Sequence, residues 1–337
     1  MTRGSPTSRR RFLLTAGTAA VAGTAGCTGG SPRERSQSTT VAILAAGSLQ
    51  NALANGLKPA VDIPVNIEAH GSATVARMID EGQRDPDIVT VADVALFERP
   101  LSPPWHAVFT SNSVVIAYNP DTDGGERLAD AGAERWYEPM VDGEVNIGRT
   151  DPDQDPLGYR TRFMLELASR HYDDASNLRA QILQRDQIYP ETSLISQFET
   201  GSIDAAIAYR SMAVERGYEY IELPDQINLS SPRYAEEWYS TVSYTLPSGQ
   251  EIQGGLISYG STIRHMSDAA VSVFDVHTTG RHLEEHGFLL RDQFPGFSGD
   301  VPRRVRQATD QSGETQSRLG GSDNQLSSTV SDVTVLI

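Results

Sequence analysis

Lysine is nearly absent from this 337-residue chain: Lys58 is the single one, so almost all of its basic charge is arginine. Cysteine is as scarce. Cys27 stands alone, which excludes an intrachain disulfide and leaves the rest of the chain without a thiol for catalysis or for a cysteine-based metal site. The apolar stretch that runs to Ala22 is too short to span a bilayer. Neither a nucleophile elbow nor a phosphate-cradling Gly-x-x-x-x-Gly-Lys loop is present. Positive charge is in deficit, with a formal net charge of -16. Removing residues 1–26 takes away four arginines and no acids, leaving -20. Such a surface excludes nucleic acid as a partner. Arginine in place of lysine on an acidic background is the composition of a high-salt organism. At molar salt the Debye length is about 3 Å, so local donors rather than net charge decide whether an anion binds.

The N-terminus reads as an export signal. Ser8-Arg9-Arg10-Arg11-Phe12-Leu13 is a twin-arginine pattern, and Thr24-Ala25-Gly26-Cys27 is similar to a lipobox whose cysteine is cut and acylated. Residues 1–27 are therefore expected to be a Tat lipoprotein signal and residues 28–39, rich in Ser, Gly, Arg and Gln, a flexible tether. The expected location is the cell surface, with the protein lipid-anchored to the outer face of the cytoplasmic membrane.

The roughly 300 residues that follow are enough for two lobes with a core each. Val41-Ala42-Ile43-Leu44-Ala45-Ala46 and Asp87-Ile88-Val89-Thr90-Val91-Ala92 have the composition of buried strands, and Val65 to His70 alternates like one. Gly47-Ser48 and Gly71-Ser72 each turn a strand into a helix, and each serine is placed to cap its own helix. Strands and helices alternate at a spacing that predicts an α/β fold. Each lobe is expected to be a mostly parallel sheet flanked by helices, with ligands gathering at the carboxyl ends of the strands. Lobe 1 is assigned residues 40–118 and 250–305, and lobe 2 residues 119–249, joined by two hinge crossings. Residues 306–337 carry little apolar content and are expected to be a disordered tail.

The chemistry centres on Arg149-Thr150-Asp151-Pro152-Asp153-Gln154-Asp155-Pro156-Leu157-Gly158-Tyr159-Arg160. It follows the apolar Val145 to Gly148 and precedes a helix whose inner face is Phe163, Met164, Leu167 and Ala168. A helix N-terminus offers unpaired amides and a positive dipole end to an anion. Asp155 would repel that anion unless it is a plain cap, is protonated, or bonds to a positive centre inside the anion. An Asx/Pro turn capping a helix is the simpler alternative. His282-Leu283-Glu284-Glu285-His286 matches the H-x-x-E-H zinc-hydrolase pattern, with Gly287 marking a helix end, and a surface helix is the preferred reading.

From Val41 to Ser272 the chain resembles the archaeal tungstate/molybdate-binding proteins of ABC importers, which have the class II periplasmic-binding-protein fold. The resemblance rests on Ala46-Gly47-Ser48-Leu49, Gly71-Ser72, Ala92-Asp93-Val94-Ala95-Leu96, the stretch from Ile147 to Arg160, and Tyr209-Arg210-Ser211. It implies an oxyanion, tungstate or molybdate, held by Ser48 and Ser72 from one lobe and lined by Tyr209 from the other. In that family the metal is six-coordinate, with four oxo oxygens and two carboxylate oxygens, which by position would come from Asp155 and Glu191. Asp153 and Glu222 remain alternatives. Leu157 stands where many relatives have a small residue or cysteine, and is expected to contribute only its backbone amide. The segment between Tyr172 and Glu191 is shorter than in thermophilic members. The resemblance further implies a monomer that needs no cofactor and serves a permease and an ATPase. Another oxyanion such as sulfate is the alternative ligand, and a zinc hydrolase using His282, Glu285 and His286 the alternative class.

Overall fold

Strand β1 (Val41–Ala46) buries five of its six residues, as a continuous apolar run does when it lies mid-sheet with both faces covered. A computed structural model describes residues 40–183 and 187–310, and the strands that follow in chain order complete two sheets. They are β2 (Val65–His70), β3 (Ile88–Val91), β4 (Trp105–Ser111), β5 (Val114–Tyr118), β6 (Ile147–Thr150) and β7 (Gln187–Tyr189). Then come β8 (Ala205–Tyr209), β9 (Glu219–Glu222), β10 (Ser243–Thr245), β11 (Glu251–Gln253), β12 (Ser258–Ile263) and β13 (Gly296–Gly299). The first lobe holds six strands in the order β13-β4-β12-β3-β1-β2, and the second holds five in the order β7-β6-β8-β5-β9. Strands β10 and β11 form a separate hairpin.

Both sheets are mixed rather than mostly parallel. Strand β1 runs parallel to β2 and β3, and β6 runs parallel to β7 and β8, as helical crossovers require. Most antiparallel partners arise where the chain changes lobe, and β13 adds one more against β4. Strand β12 returns from the second lobe and pairs antiparallel with β3 and β4, while β5 enters the second sheet antiparallel to β8 and β9.

The pairing of β5 also moves the first crossing. Val114 registers against Tyr209, so residues 114–118 belong to lobe 2 and the chain crosses at Asn112-Ser113, before the expected boundary. The Asn112 side chain is buried there and fully used. Its Nδ2 donates to Ser211 Oγ (2.8 Å) and the Tyr259 hydroxyl (3.2 Å). Its Oδ1 accepts from the amides of Ser113 (3.0 Å) and Ser211 (3.3 Å). The return crossing is tied where the Ile257 amide donates to Leu229 O at 3.0 Å, just before β12.

The helix Pro156–His171 starts with proline in its first turn and ends with Arg170 and His171, both favourable to its dipole. Phe163, Met164, Leu167 and Ala168 are buried along it, as the periodicity predicts. Residues 303–310 are helical with Val305 and Thr309 buried, so the fold continues past residue 306, where a tail was expected. Residues 1–39, which include Cys27, and residues 311–337 lie outside the described residues. No helix among the described residues is long and apolar enough to cross a membrane.

Leu167 is fully buried, so Leu167→Ala is expected to cost about 2–5 kcal/mol. Denaturant unfolding in molar potassium chloride reads this directly, and a cost below about 1 kcal/mol would contradict the packing described.

Candidate functional site

The ends of β2 and β6 meet at one cavity, while the end of β1 lines a separate one with Gly47 and Ser48. After β1, Gly47–Leu49 forms a short 3-10 turn, and after β2, Gly71 is the N-cap of the helix Ser72–Asp80. Ser48 and Ser72 are both buried, yet neither caps its helix, because each turn starts one residue earlier and leaves the serine inside it. Ser48 Oγ instead pairs with the Tyr259 hydroxyl at 2.9 Å, and Ser72 Oγ accepts from the Ala92 amide at 2.9 Å. The helix Ser72–Asp80 therefore has no side-chain cap, and its N-terminus stands at the cleft.

From the other lobe, β6 leads through the acidic turn to Asp155, the N-cap of the helix Pro156–His171. Its carboxylate is 4% exposed and its two oxygens differ. Oδ1 accepts from the Leu157 amide at 3.0 Å, the ordinary capping bond. Oδ2 and the Thr150 Oγ1 beside it are both buried and make no hydrogen bond of good geometry, although the Thr150 hydroxyl is near enough to favour the ionised carboxylate. The capping reading is thus correct for one oxygen only. It also means that the Leu157 amide is engaged, rather than open to an oxo group as expected. Burial pushes the Asp155 carboxyl up to about 6, helped by the Asp151 charge and opposed by the Leu157 amide bond, by hydrogen bonding from the Thr150 hydroxyl and by the Arg160 charge.

The lobes touch here. A Cβ on Gly71 would lie 2.5 Å from Gln154 O and 3.2 Å from Asp155 Cβ, so glycine is what permits this approach. A cavity of ≈ 140 Å³ remains between them, lined by His70, Gly71 and Thr74 on one side and by Thr150, Asp155 and Pro190 on the other. It has room for a small ion.

Tyr209, at the end of β8, is fully buried and its hydroxyl oxygen accepts from Arg160 Nη1 at 2.6 Å. Glu191 opens the helix Glu191–Glu199 directly after Pro190, whose side lines the cavity. The alternative acids lie elsewhere. Asp153 is exposed and its Oδ1 accepts from the Tyr244 hydroxyl at 2.5 Å. Glu222 sits on the edge strand β9 with its side chain 71% exposed, 3.7 Å from Arg210 Nε.

The helix His282–Glu285 lies at the surface with Glu284 and Glu285 exposed, but His282 is turned inward and buried against Gly56 and Gly280, where a Cβ would collide with the imidazole. His286 Nδ1 pairs with His282 O at 2.7 Å. Among the described residues no group of three His, Cys, Asp or Glu is placed to hold a metal ion.

Sequence reasoning assigned no role to Arg160, Tyr159 or Asp93. Arg160 is 3% exposed; its Nη1 also donates to Ala92 O (2.8 Å), and its Nη2 pairs with Asp93 at 3.1 Å. The Tyr159 hydroxyl donates to the same Asp93 Oδ2 at 2.6 Å. A signal existed: Arg160 lies four residues after Pro156 and so shares the helix face that meets the acidic turn.

Two mixed α/β lobes, joined by two crossings and closing strand-end turns around a small cavity, define a two-lobed solute-binding protein. The chain belongs to the family described as bacterial extracellular solute-binding protein, which it matches over residues 41–251. It is 53% identical over 300 residues to a Haloferax volcanii protein provisionally named an ABC transporter molybdenum-binding protein, covering 88% of this chain and 96% of that one. It is 31% identical over 324 residues to the molybdate/tungstate-binding protein WtpA of Pyrococcus abyssi, covering 83% and 93%. The crystal structure of L-phospholactate-bound PEB3 of Campylobacter jejuni shares the fold, with a TM-score of 0.50 at 12% identity over 74% of this chain and all of that one.

The raised Asp155 pKa fixes the sign of a pH effect. The folded chain holds this proton above the ordinary value of 3.8, so the stability it contributes is complete below about pH 4 and lost as pH rises through about 6. Asp155→Asn, which keeps a good cap, is expected to match the native chain near pH 4 and to exceed it at pH 7.5 by up to about 3 kcal/mol. Unfolding of the ligand-free proteins at both pH values checks this, and an Asn variant less stable at pH 7.5 would contradict it.

Proposed function

We propose that the cavity captures tungstate or molybdate and that the protein delivers the anion to the permease and ATPase of an importer. The observation that carries this reading is the buried Asp155 carboxylate in a residue that lines the cavity, with Oδ1 spent on a cap and Oδ2 closed off beside Thr150 without a hydrogen bond of good geometry. For an ordinary dianion that oxygen is a repulsive neighbour. Tungsten(VI) and molybdenum(VI) are hard centres that favour oxygen ligands, so Asp155 Oδ2 can bond to the metal while donors hold the oxo groups. The burial that disfavours the ionised carboxylate is then offset by the metal, and the acid becomes a selectivity device. Names carried by relatives in Haloferax and Pyrococcus support the same ligand class.

In this reading Glu191 supplies the second carboxylate, and Ser48, Ser72 and Tyr209 hold oxo oxygens with the amides that begin the helix Ser72–Asp80. The protein works as a monomer without a cofactor, exported by the Tat pathway and held at the outer face of the cytoplasmic membrane by a lipid on Cys27. Its task is capture and release, with closure of the lobes as the state a permease recognises.

Calorimetric titration in molar potassium chloride tests the reading. One-to-one binding of tungstate and molybdate with sulfate silent is expected, and Asp155→Ala is expected to weaken tungstate by about 100-fold or more. Comparable sulfate binding, or no loss in the variant, would return Asp155 to capping alone.

A further inference from the structure

We propose that Arg160 is a positioning residue that assembles the oxyanion site as the lobes close, a role that rests on the capture reading above. Arg160 belongs to lobe 2, yet its partners are divided between the lobes. Nη1 donates to the Tyr209 hydroxyl on its own lobe and to Ala92 O on the other. Nη2 faces Asp93, also in lobe 1, at 3.1 Å. The Ala92 amide in turn donates to Ser72 Oγ at 2.9 Å. A continuous path, Tyr209 to Arg160 to Ala92 to Ser72, therefore joins one expected anion ligand on each lobe.

The path also sets polarity. A guanidinium and a backbone amide can only donate, so both hydroxyl oxygens act as acceptors along it. Ser72 is thereby left with its own hydrogen to give, which suits an oxo oxygen. Asp93 balances the buried cation and takes a second donor from Tyr159, while its Oδ1 caps the Ala95 amide at 3.0 Å. Opening the lobes would part Arg160 and Tyr159 from Asp93 and leave Tyr209 and Ala92 unheld. Closure and site assembly are one event. The planar fork matters, since an ammonium cannot reach three partners in one plane.

The test compares tungstate affinity and dissociation rate, by calorimetry and stopped-flow displacement, in the native protein and its variants. Arg160→Met is expected to weaken binding by about 10- to 100-fold, chiefly through faster dissociation, and Arg160→Lys to restore only part of it. Asp93→Asn combined with Arg160→Met removes both charges while keeping the Ala95 cap. That double variant is expected to regain thermal stability but not affinity. Recovery of native affinity and dissociation rate in the double variant would show a merely structural ion pair and overturn the proposal. Should the arginine variants fail to fold, Tyr159→Phe removes only the hydroxyl bond to Asp93. It is expected to speed dissociation several-fold, and an unchanged rate would overturn the proposal. A native protein that binds none of the anions would instead sink the capture reading, and this proposal with it.

Discussion

A carboxylate buried at the seam between two lobes is costly unless both of its oxygens are used, and Asp155 uses one. The cap on Leu157 explains why an aspartate starts the helix Pro156–His171. It does not explain why the second oxygen is closed off from water beside the Thr150 hydroxyl. Both lobes contribute to that enclosure. Gly71 gives up a side chain so that the Gln154 backbone and Asp155 Cβ can approach, and the cavity left between them is small. A structure that carries a local destabilisation of this kind gains from a ligand whose own chemistry removes it.

The rest of the fold positions this seam. Mixed sheets follow from the two crossings, since β5 and β12 arrive from the opposite lobe and pair antiparallel. At the first crossing Asn112 satisfies all its hydrogen-bonding capacity against Ser113, Ser211 and Tyr259, so the joint is specified by polar geometry rather than by apolar bulk. On the helix that Asp155 caps, Arg160 spans the gap between the lobes with a buried charge balanced by Asp93. Removing one member of such a pair is far more damaging than replacing both, and that asymmetry separates a structural role from a positioning one.

How much of this was legible in the chain depends on how local the cause was. Strands β1 and β3 and the buried face of Phe163, Met164, Leu167 and Ala168 follow from periodicity, because each element answers mainly to its own pattern. Asp155 and the two Gly-Ser turns stood out through their motifs. The serines' partners did not, since Tyr259 and Ala92 are brought in only by the closed sheet. The run from Val114 to Tyr118 is equally apolar in either sheet, so its lobe could not be read until β8 and β9 were seen beside it. Arginine is ordinarily exposed, and although its spacing from Pro156 places Arg160 on the helix face beside the acidic turn, nothing in the chain names Ala92, 68 residues away, as its partner. Within the helix His282–Glu285 only His282 departs from the surface pattern, because Gly56 and Gly280 make room for its imidazole.

The central claim is that Asp155 bonds to the metal rather than to the oxo groups. X-ray absorption at the tungsten L3 edge of the tungstate complex measures that bond directly. The account predicts short oxo oxygens accompanied by a second, longer shell of carboxylate oxygens that loses a member in Asp155→Asn. A tetrahedral, oxo-only shell, the same in both proteins, would contradict it.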